Sequence, residues 1–173
     1  MNFRDASSAA FPTKLLVVNG LAVALVFIAA KFVHIRIPVA GPGGMIHFGD
    51  LPLFVFALLF GRKTGAIAGA VGLTLFDLLS GWPLWAPFTF IIAGAAGYTV
   101  GYIAEKNPED HIGPFMASIL IANLLTVAGY YLAEAILYGH WLAPTASVPV
   151  NFLQVTLPAF PALPMAKRLK KLL

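Results

Sequence analysis

The sequence contains no cysteine and few charged residues. Without cysteine, neither a disulfide framework nor a thiolate metal site can form. Charged residues make up 10% of the 173 residues, whereas soluble domains usually carry about 25%. Because 60% of the residues are hydrophobic, so few charges cannot cover a globule of this size. The composition therefore predicts a protein that crosses a lipid bilayer several times.

Motifs of nucleotide and covalent chemistry are also missing. Gly41 to Gly44 lacks the Lys-Ser/Thr of a phosphate-binding loop, and neither Gly-x-Ser-x-Gly nor His-Glu-x-x-His occurs. The four histidines show no metal-ligand spacing. Glu105, Glu109 and Asp110 share one polar segment instead of forming a catalytic pair. We therefore expect no catalytic residue, no metal site and no cofactor.

Six apolar segments predict an all-α, six-transmembrane-helix bundle that forms one membrane domain, residues 1–173. The helices are expected at about 15–33, 51–60, 64–79, 87–104, 114–138 and 148–163. A helix needs about 20 apolar residues to cross a bilayer core, so the second segment is short. Asp50 is well placed to cap this helix at its N-terminus.

The basic residues indicate the orientation of the chain. With six crossings and the N-terminus inside, nine of the 11 basic residues lie in the cytoplasm, and only Lys31 and Arg36 lie outside. If the second helix were re-entrant, Arg62 and Lys63 would lie outside and this bias would be lost. The pattern favours six crossings with both termini in the cytoplasm, and it explains the net charge of +4 better than nucleic-acid binding does.

Small residues recur at four-residue spacing in three helices. Gly65 and Gly69 form such a pair in the third helix, and Ala93 and Gly97 form one in the fourth. Small residues let helices approach closely in lipid, either within the bundle or against a partner protein. A comparable pair in the first helix is Gly20 and Ala24.

The fifth helix carries one polar face. Asn123, Thr126, Tyr130 and Glu134 recur at spacings of three and four residues. A carboxylate at membrane depth is costly unless it is paired or faces water, so Glu134 is a candidate functional residue. The alternative is that Glu134 lies at the headgroup level or pairs with Lys31.

Further polar and aromatic residues come from the sixth helix and from two loops. Asn151 and Gln154 lie one turn apart and suit either ligand contact or hydrogen bonds between helices. Trp82 and Trp85 lie in a Gly-Trp-Pro-Leu-Trp-Ala-Pro segment whose rigid residues specify a loop shape. The alternative for the aromatic residues is an interfacial belt.

These groups predict a small outward-facing pocket beneath two loops. Aromatic faces would stack on a flat ring and polar groups would fix its edge. The stacking residues are Trp82, Trp85 and Tyr130, and the polar residues are His47, Glu134, Asn151 and Gln154. Asp77 is expected to have a structural role instead, bonding its own loop or pairing with Arg36.

Three stretches resemble a known family. They are His47 to Asp50, Ala57 to Gly61, and Asp77 to Thr89, which reads DLLSGWPLWAPFT. They resemble the substrate-binding S components of energy-coupling factor (ECF) vitamin transporters, in the branch for riboflavin-like or thiamine- and pyridoxine-related uptake. The resemblance covers Pro38 to Gly101 closely and elsewhere rests on length and six-helix topology. The motifs are specific for the family and not for the substrate.

The resemblance implies a subunit that captures a vitamin or precursor on the outer face of a bacterial plasma membrane. It would dock on a membrane coupling subunit driven by two ATPase subunits, and then topple to release the vitamin inside. The loop between helices 1 and 2 would gate the site, and helices 4 to 6 would line it. The implied substrate-binding residues are Gly44, His47, Trp85, Thr89, Tyr130, Glu134, Asn151 and Gln154, to which the polar and aromatic pattern adds Trp82 and Asn123.

Two positions of this chain depart from the family pattern. The family docks through an Ala-x-x-x-Ala pattern on helix 1, for which the nearest match here is Gly20 and Ala24. Relatives often carry Lys in helix 4 where this chain has Ala93.

The sequence therefore predicts a vitamin-binding transport subunit and not an enzyme. Pyridoxine-like or hydroxymethylpyrimidine-like rings are expected first, because the candidate pocket is small, aromatic and hydrogen-bonding. Riboflavin comes second because it needs a larger cavity. The alternatives are a membrane scaffold or assembly subunit, whose small-residue faces would be interfaces, and a membrane-embedded enzyme, for which the chain offers no acid–base constellation.

Overall fold

The computed structural model describes residues 13–37 and 45–172. Across these residues the chain forms six α-helices and one antiparallel pair of short strands. The helices are α1 (Thr13–Phe32), α2 (Asp50–Phe60), α3 (Arg62–Ser80), α4 (Ala86–Glu105), α5 (Ile112–Tyr138) and α6 (Val148–Lys170). The strands are β1 (His34–Arg36) and β2 (Met45–His47), and a 3-10 turn, Ala143–Ala146, precedes α6. The all-α class is confirmed, and the strand pair is an addition that apolar patterning does not predict.

Four helices of the described chain are long and apolar enough to cross a bilayer, namely α1, α4, α5, and α6 with its preceding turn. Helix α2 has 11 residues, and at 1.5 Å per residue it spans about 16 Å, roughly half of a bilayer core. It lies inside the bundle, with Leu53 to Leu58 all buried. Helix α3, which begins with the basic residues Arg62 and Lys63, is not among the four candidate spans either. Six crossings therefore remain a prediction.

The two ends of the helix bundle carry different connecting segments. One end, the strand end, carries β1, β2, the loop of residues 81–85 and the 3-10 turn. The opposite end carries the single-residue turn at Gly61, whose φ of +84° suits glycine. There Glu105 accepts a hydrogen bond from the backbone N–H of Arg62 at 2.9 Å, which ties the start of α3 to the end of α4.

Helices α3 and α4 pack backbone to backbone through glycine. A Cβ at Gly97 would collide with the carbonyl of Gly65, and a Cβ at Gly69 would collide with the carbonyl of Ala93. The small-residue pattern of these two helices therefore serves packing inside the bundle. In α1, by contrast, a Cβ added at Gly20 would meet no atom within 4 Å, and Ala24 is exposed.

Helix α6 is longer than the sequence predicts, because it continues past residue 163 to Lys170. Pro158, Pro161 and Pro164 lie inside it, and each removes one backbone hydrogen bond. Neighbouring helices make such losses tolerable in membrane proteins. The basic residues of the last turn suit the negative end of the helix dipole, and Lys170 bonds Asp110 at 2.6 Å.

Candidate functional site

A cavity lies among the helices near the strand end. Its lining comes from β2, the loop of residues 81–85 and helices α2 to α6. The lining residues are Met45, His47, Asp50, Phe54, Leu73, Asp77, Trp82, Trp85, Thr89, Ile92, Ala93, Ala96, Thr126, Tyr130, Glu134, Asn151, Gln154 and Val155. The cavity has a volume of about 60 Å³. It combines apolar walls with convergent polar groups, as small-molecule sites do.

The loop between α3 and α4 brings two tryptophans to the cavity. Gly81, with a φ of +91°, ends α3, and the N–H of Trp82 then bonds the Asp77 carbonyl at 2.8 Å. The Trp82 and Trp85 rings meet edge to face with centroids 5.5 Å apart. This arrangement holds two flat aromatic surfaces at the cavity. The buried Nε1 of Trp85 has no hydrogen-bond partner within the described chain.

Helix α5 supplies a tyrosine and a carboxyl. The Tyr130 hydroxyl lies 2.9 Å from the Thr89 hydroxyl of α4, which fixes both side chains. The Glu134 carboxylate accepts a 2.6 Å bond from the Ser147 hydroxyl, and the Glu134 side chain is buried. Pairing of Glu134 with Lys31 is not what the structure shows, because Lys31 instead bonds the Leu79 carbonyl and the Ser80 hydroxyl.

Strand β2 is joined to α6 through Gln154. The Gln154 side chain accepts a hydrogen bond from the backbone N–H of His47 at 2.6 Å and donates to the His47 carbonyl at 2.9 Å. Its amide nitrogen also lies 2.9 Å from His47 Nδ1 and 2.7 Å from an Asp50 carboxylate oxygen. Removal of the imidazole from water lowers the pKa of His47 to about 4. Neutral His47 Nδ1 can therefore accept the Gln154 N–H.

Two acids with predicted structural roles also line the cavity. Asp50 does not cap α2, because Gly49 is the N-cap residue and no side chain bonds there. Its carboxylate reaches Gln154 instead. Asp77 faces the cavity with a buried Oδ2 that has no hydrogen-bond partner among the described residues. The expected partner, Arg36, lies over the Trp82 ring at 5.2 Å.

The structure gathers most, but not all, of the predicted substrate-binding residues. His47, Trp82, Trp85, Thr89, Tyr130, Glu134, Asn151 and Gln154 line the cavity. Asn123 does not line the cavity. It lies closer to the N-terminus of α5 than the lining residues of that helix, and its amide donates to the Thr156 hydroxyl at 3.1 Å. Gly44 lies outside the described residues. Sequence reasoning missed Asp50 and Asp77, although their depth beside two loops was a signal that could have found them.

The geometry suits recognition of a small polar ring. Trp82, Trp85 and Tyr130 offer aromatic surfaces, while carboxyl, amide and hydroxyl groups converge around them. Buried polar atoms without partners are costly, so a ligand that meets them gains both affinity and specificity.

Comparison with protein families gives one match over nearly the whole chain. Residues 10–171 match the model of the family described as ECF-type riboflavin transporter, S component. A solved structure of the S component of a bacterial ECF transporter superposes with a TM-score of 0.72 at 20% identity, covering 92% of this chain and 97% of that one. At that identity the likeness shows the fold.

Relatives in several organisms carry different descriptions. An uncharacterized protein in the gap 3′ region of Pyrococcus woesei is 34% identical over 105 residues, 61% of this chain and 69% of its own. The thiamine precursor transporter HmpT of Lactococcus lactis is 29% identical over 132 residues, 76% of this chain and 73% of its own. A UPF0397 protein of Streptococcus pneumoniae is 32% identical over 142 residues, 81% of this chain and 72% of its own.

Proposed function

This chain belongs to the family of ECF-type riboflavin transporter S components, and we propose that it binds a single-ring, water-soluble vitamin or vitamin precursor for uptake. Members of the family are membrane transport subunits and not enzymes. S components bind vitamins and work with a membrane coupling subunit and ATPase subunits. For this chain, the proposed ligand is hydroxymethylpyrimidine-like or pyridoxine-like.

The size of the cavity carries this proposal. A water molecule needs roughly 10–15 Å³ of such space, so a cavity of about 60 Å³ accommodates a few waters. That room favours a single substituted ring over a larger fused-ring ligand. The relative described as a thiamine precursor transporter supports the same choice. Riboflavin, which the family description favours, has three fused rings and a polyol chain, so it is the second candidate.

The proposed arrangement in the membrane follows the distribution of charge. We place the protein in the bacterial plasma membrane as a single domain with six crossings, in which α2 and α3 cross as a hairpin. Arg62, Lys63 and Lys106 then lie at the cytoplasmic end, together with both termini. The strand end with its cavity faces outward, where the substrate is dissolved.

The proposed docking face is on α1. Gly20 and Ala24 are exposed one turn apart, so a partner helix can approach closely there. Leu16, Leu21 and Ile28 are also exposed on this helix. We assign this face to the coupling subunit, with two ATPase subunits supplying the energy. Ala93, at the position where relatives often carry Lys, lines the cavity. We therefore assign the effect of this difference to the ligand site and not to docking.

Purification followed by uptake measurement tests the function. Mass spectrometry of an extract from the detergent-solubilised protein should identify one bound single-ring vitamin or precursor. Cells that co-express the chain with a coupling subunit and ATPases should then take up that compound. If the purified protein holds no such compound, and the cells take up none of hydroxymethylpyrimidine, pyridoxine and riboflavin, the result would favour a scaffold subunit instead.

A further inference from the structure

Three acidic side chains converge on the cavity, and no lysine or arginine of the described chain lines it. Asp50 comes from α2, Asp77 from α3 and Glu134 from α5. All three are buried. Within the described chain, no group of histidine and acidic residues is placed to hold a metal ion. Asp50 already accepts a hydrogen bond from Gln154 and Glu134 accepts one from Ser147, so Asp77 Oδ2, which has no partner within the described chain, is the carboxylate oxygen left for a ligand.

Several buried polar atoms of the cavity have no hydrogen-bond partner in the described chain. They are Asp77 Oδ2, Asn151 Nδ2 and Trp85 Nε1. The side chains of Asp77 and Asn151 line the cavity, and both residues are only 7% exposed. A carboxylate oxygen calls for an N–H or O–H donor, while amide and indole N–H groups call for an acceptor. A ligand that satisfies them presents donors on one side and acceptors on another.

Two basic side chains near the strand end, Lys31 and Arg36, make contacts outside the cavity. Lys31 bonds the Leu79 carbonyl and the Ser80 hydroxyl at 3.2 and 3.0 Å. Arg36 is exposed and lies over the outer aromatic ring, Trp82. Neither side chain lines the cavity. An anionic group inside would therefore meet carboxyls without a compensating cation, and burial of an unpaired charge is strongly unfavourable.

We infer, resting on the proposed function, that the cavity selects the unphosphorylated form of a nitrogen heterocycle that carries N–H donors. The ring is neutral or protonated, and its donor edge meets Asp77. Asn151 and Trp85 donate to its acceptor atoms. Phosphorylated or carboxylated forms of the same ring are excluded. Any phosphorylation of the ligand then follows its uptake.

Matched pairs of compounds test this inference on the unaltered protein. Binding to the full chain in detergent is measured by titration calorimetry for hydroxymethylpyrimidine, pyridoxine and riboflavin, each beside its own phosphate ester. For whichever parent compound binds, we expect an affinity at least about tenfold higher than that of its phosphate ester, because the ester places an unpaired charge beside carboxyls. A phosphate ester that binds as tightly as its parent overturns the inference and leaves the proposed function standing.

Asp77→Asn tests the residue that meets the donor edge. The amide replaces one acceptor with a donor, so affinity for hydroxymethylpyrimidine should fall about tenfold or more. Affinity for an analogue of hydroxymethylpyrimidine that lacks the ring amino group, and therefore its N–H donors, should change much less. Glu109→Gln is the control, because Glu109 is exposed and lies outside the cavity. Equal losses for both compounds overturn the assignment of Asp77.

The outcomes separate the inference from the function on which it rests. Binding of none of the three parent compounds or their esters overturns both. If Asp77→Asn does not fold, as judged by size-exclusion chromatography, the parent-to-ester ratio of the unaltered protein decides the charge selectivity. Glu134→Gln then provides a second carboxyl-to-amide change, which should narrow that ratio because it removes negative charge from the cavity.

Discussion

The side-chain amide of Gln154 bonds both backbone groups of His47. The His47 N–H donates to Gln154 Oε1 at 2.6 Å, and Gln154 Nε2 donates to the His47 carbonyl at 2.9 Å. These two bonds fix which amide atom is oxygen. They also give β2 the pairing that a neighbouring strand would give a free sheet edge. One residue of α6 thus holds the strand pair against the cavity.

Gln154→Ala should release β2 and accelerate ligand exchange. Loss of these hydrogen bonds should raise the dissociation rate of hydroxymethylpyrimidine about tenfold or more, measured by stopped-flow tryptophan fluorescence. Asn107→Ala is a matched control, because Asn107 bonds both backbone groups of His111 in the loop between α4 and α5. An unchanged dissociation rate in Gln154→Ala would show that this pair does not control access.

Acidification should weaken the same contact through His47. Its pKa is lowered to about 4 by burial, below the ordinary value of about 6.5, so the unfolded chain binds the proton more readily. The stability that this group contributes is complete above about pH 6.5 and is lost as the pH falls toward 4. Protonated Nδ1 would oppose the Gln154 N–H. Histidine NMR titration checks this, and a His47 pKa near 6.5 would contradict it.

Gly97→Ala should destabilise the bundle. The new Cβ would collide with the backbone carbonyl of Gly65, and overpacking of this kind typically costs about 1–3 kcal/mol. Gly113→Ala is the control, since its Cβ meets no atom within 4 Å and alanine favours helix. Thermal unfolding in detergent compares them. Equal melting temperatures would show that α3 and α4 separate at little cost.

Gly20→Leu should separate docking from ligand binding. The side chain enters open space on α1, so the fold and the cavity are expected to remain unchanged. Uptake with the coupling and ATPase subunits should fall strongly, while affinity in detergent stays within about twofold. Ala117→Leu, at an exposed position of α5, should leave both unchanged. Normal uptake in Gly20→Leu would move the docking face elsewhere.

Much of the helical architecture follows from apolar runs, but the site depends on neighbours that a linear pattern does not show. Asn123 shares a helical face with Tyr130 and Glu134, yet the cavity does not extend that far along α5. Helix periodicity predicts a face and leaves the depth of the cavity open. Pairing with Arg36 was one of two structural roles expected for Asp77. The structure instead places Arg36 over the Trp82 ring, a contact that a linear pattern does not reveal.

The strand pair was missed for a different reason. Strands of three residues are too short to show an alternating pattern. The contact that ties β2 to α6 is made by Gln154, which lies 107 residues from His47 along the chain. The extension of α6 past residue 163 was missed for another reason. Pro164 would ordinarily end a helix in water, whereas neighbouring helices support it here.

The most direct test is an equilibrium titration of hydroxymethylpyrimidine against the purified protein and its Trp85→Ala and Glu134→Gln variants. Both residues line the cavity, so each loss should weaken binding about tenfold or more. Trp141→Phe is the control, because Trp141 is exposed and lies away from the lining. The account predicts saturable binding that Trp141→Phe retains and both cavity variants weaken. Unchanged affinity in both cavity variants would contradict it.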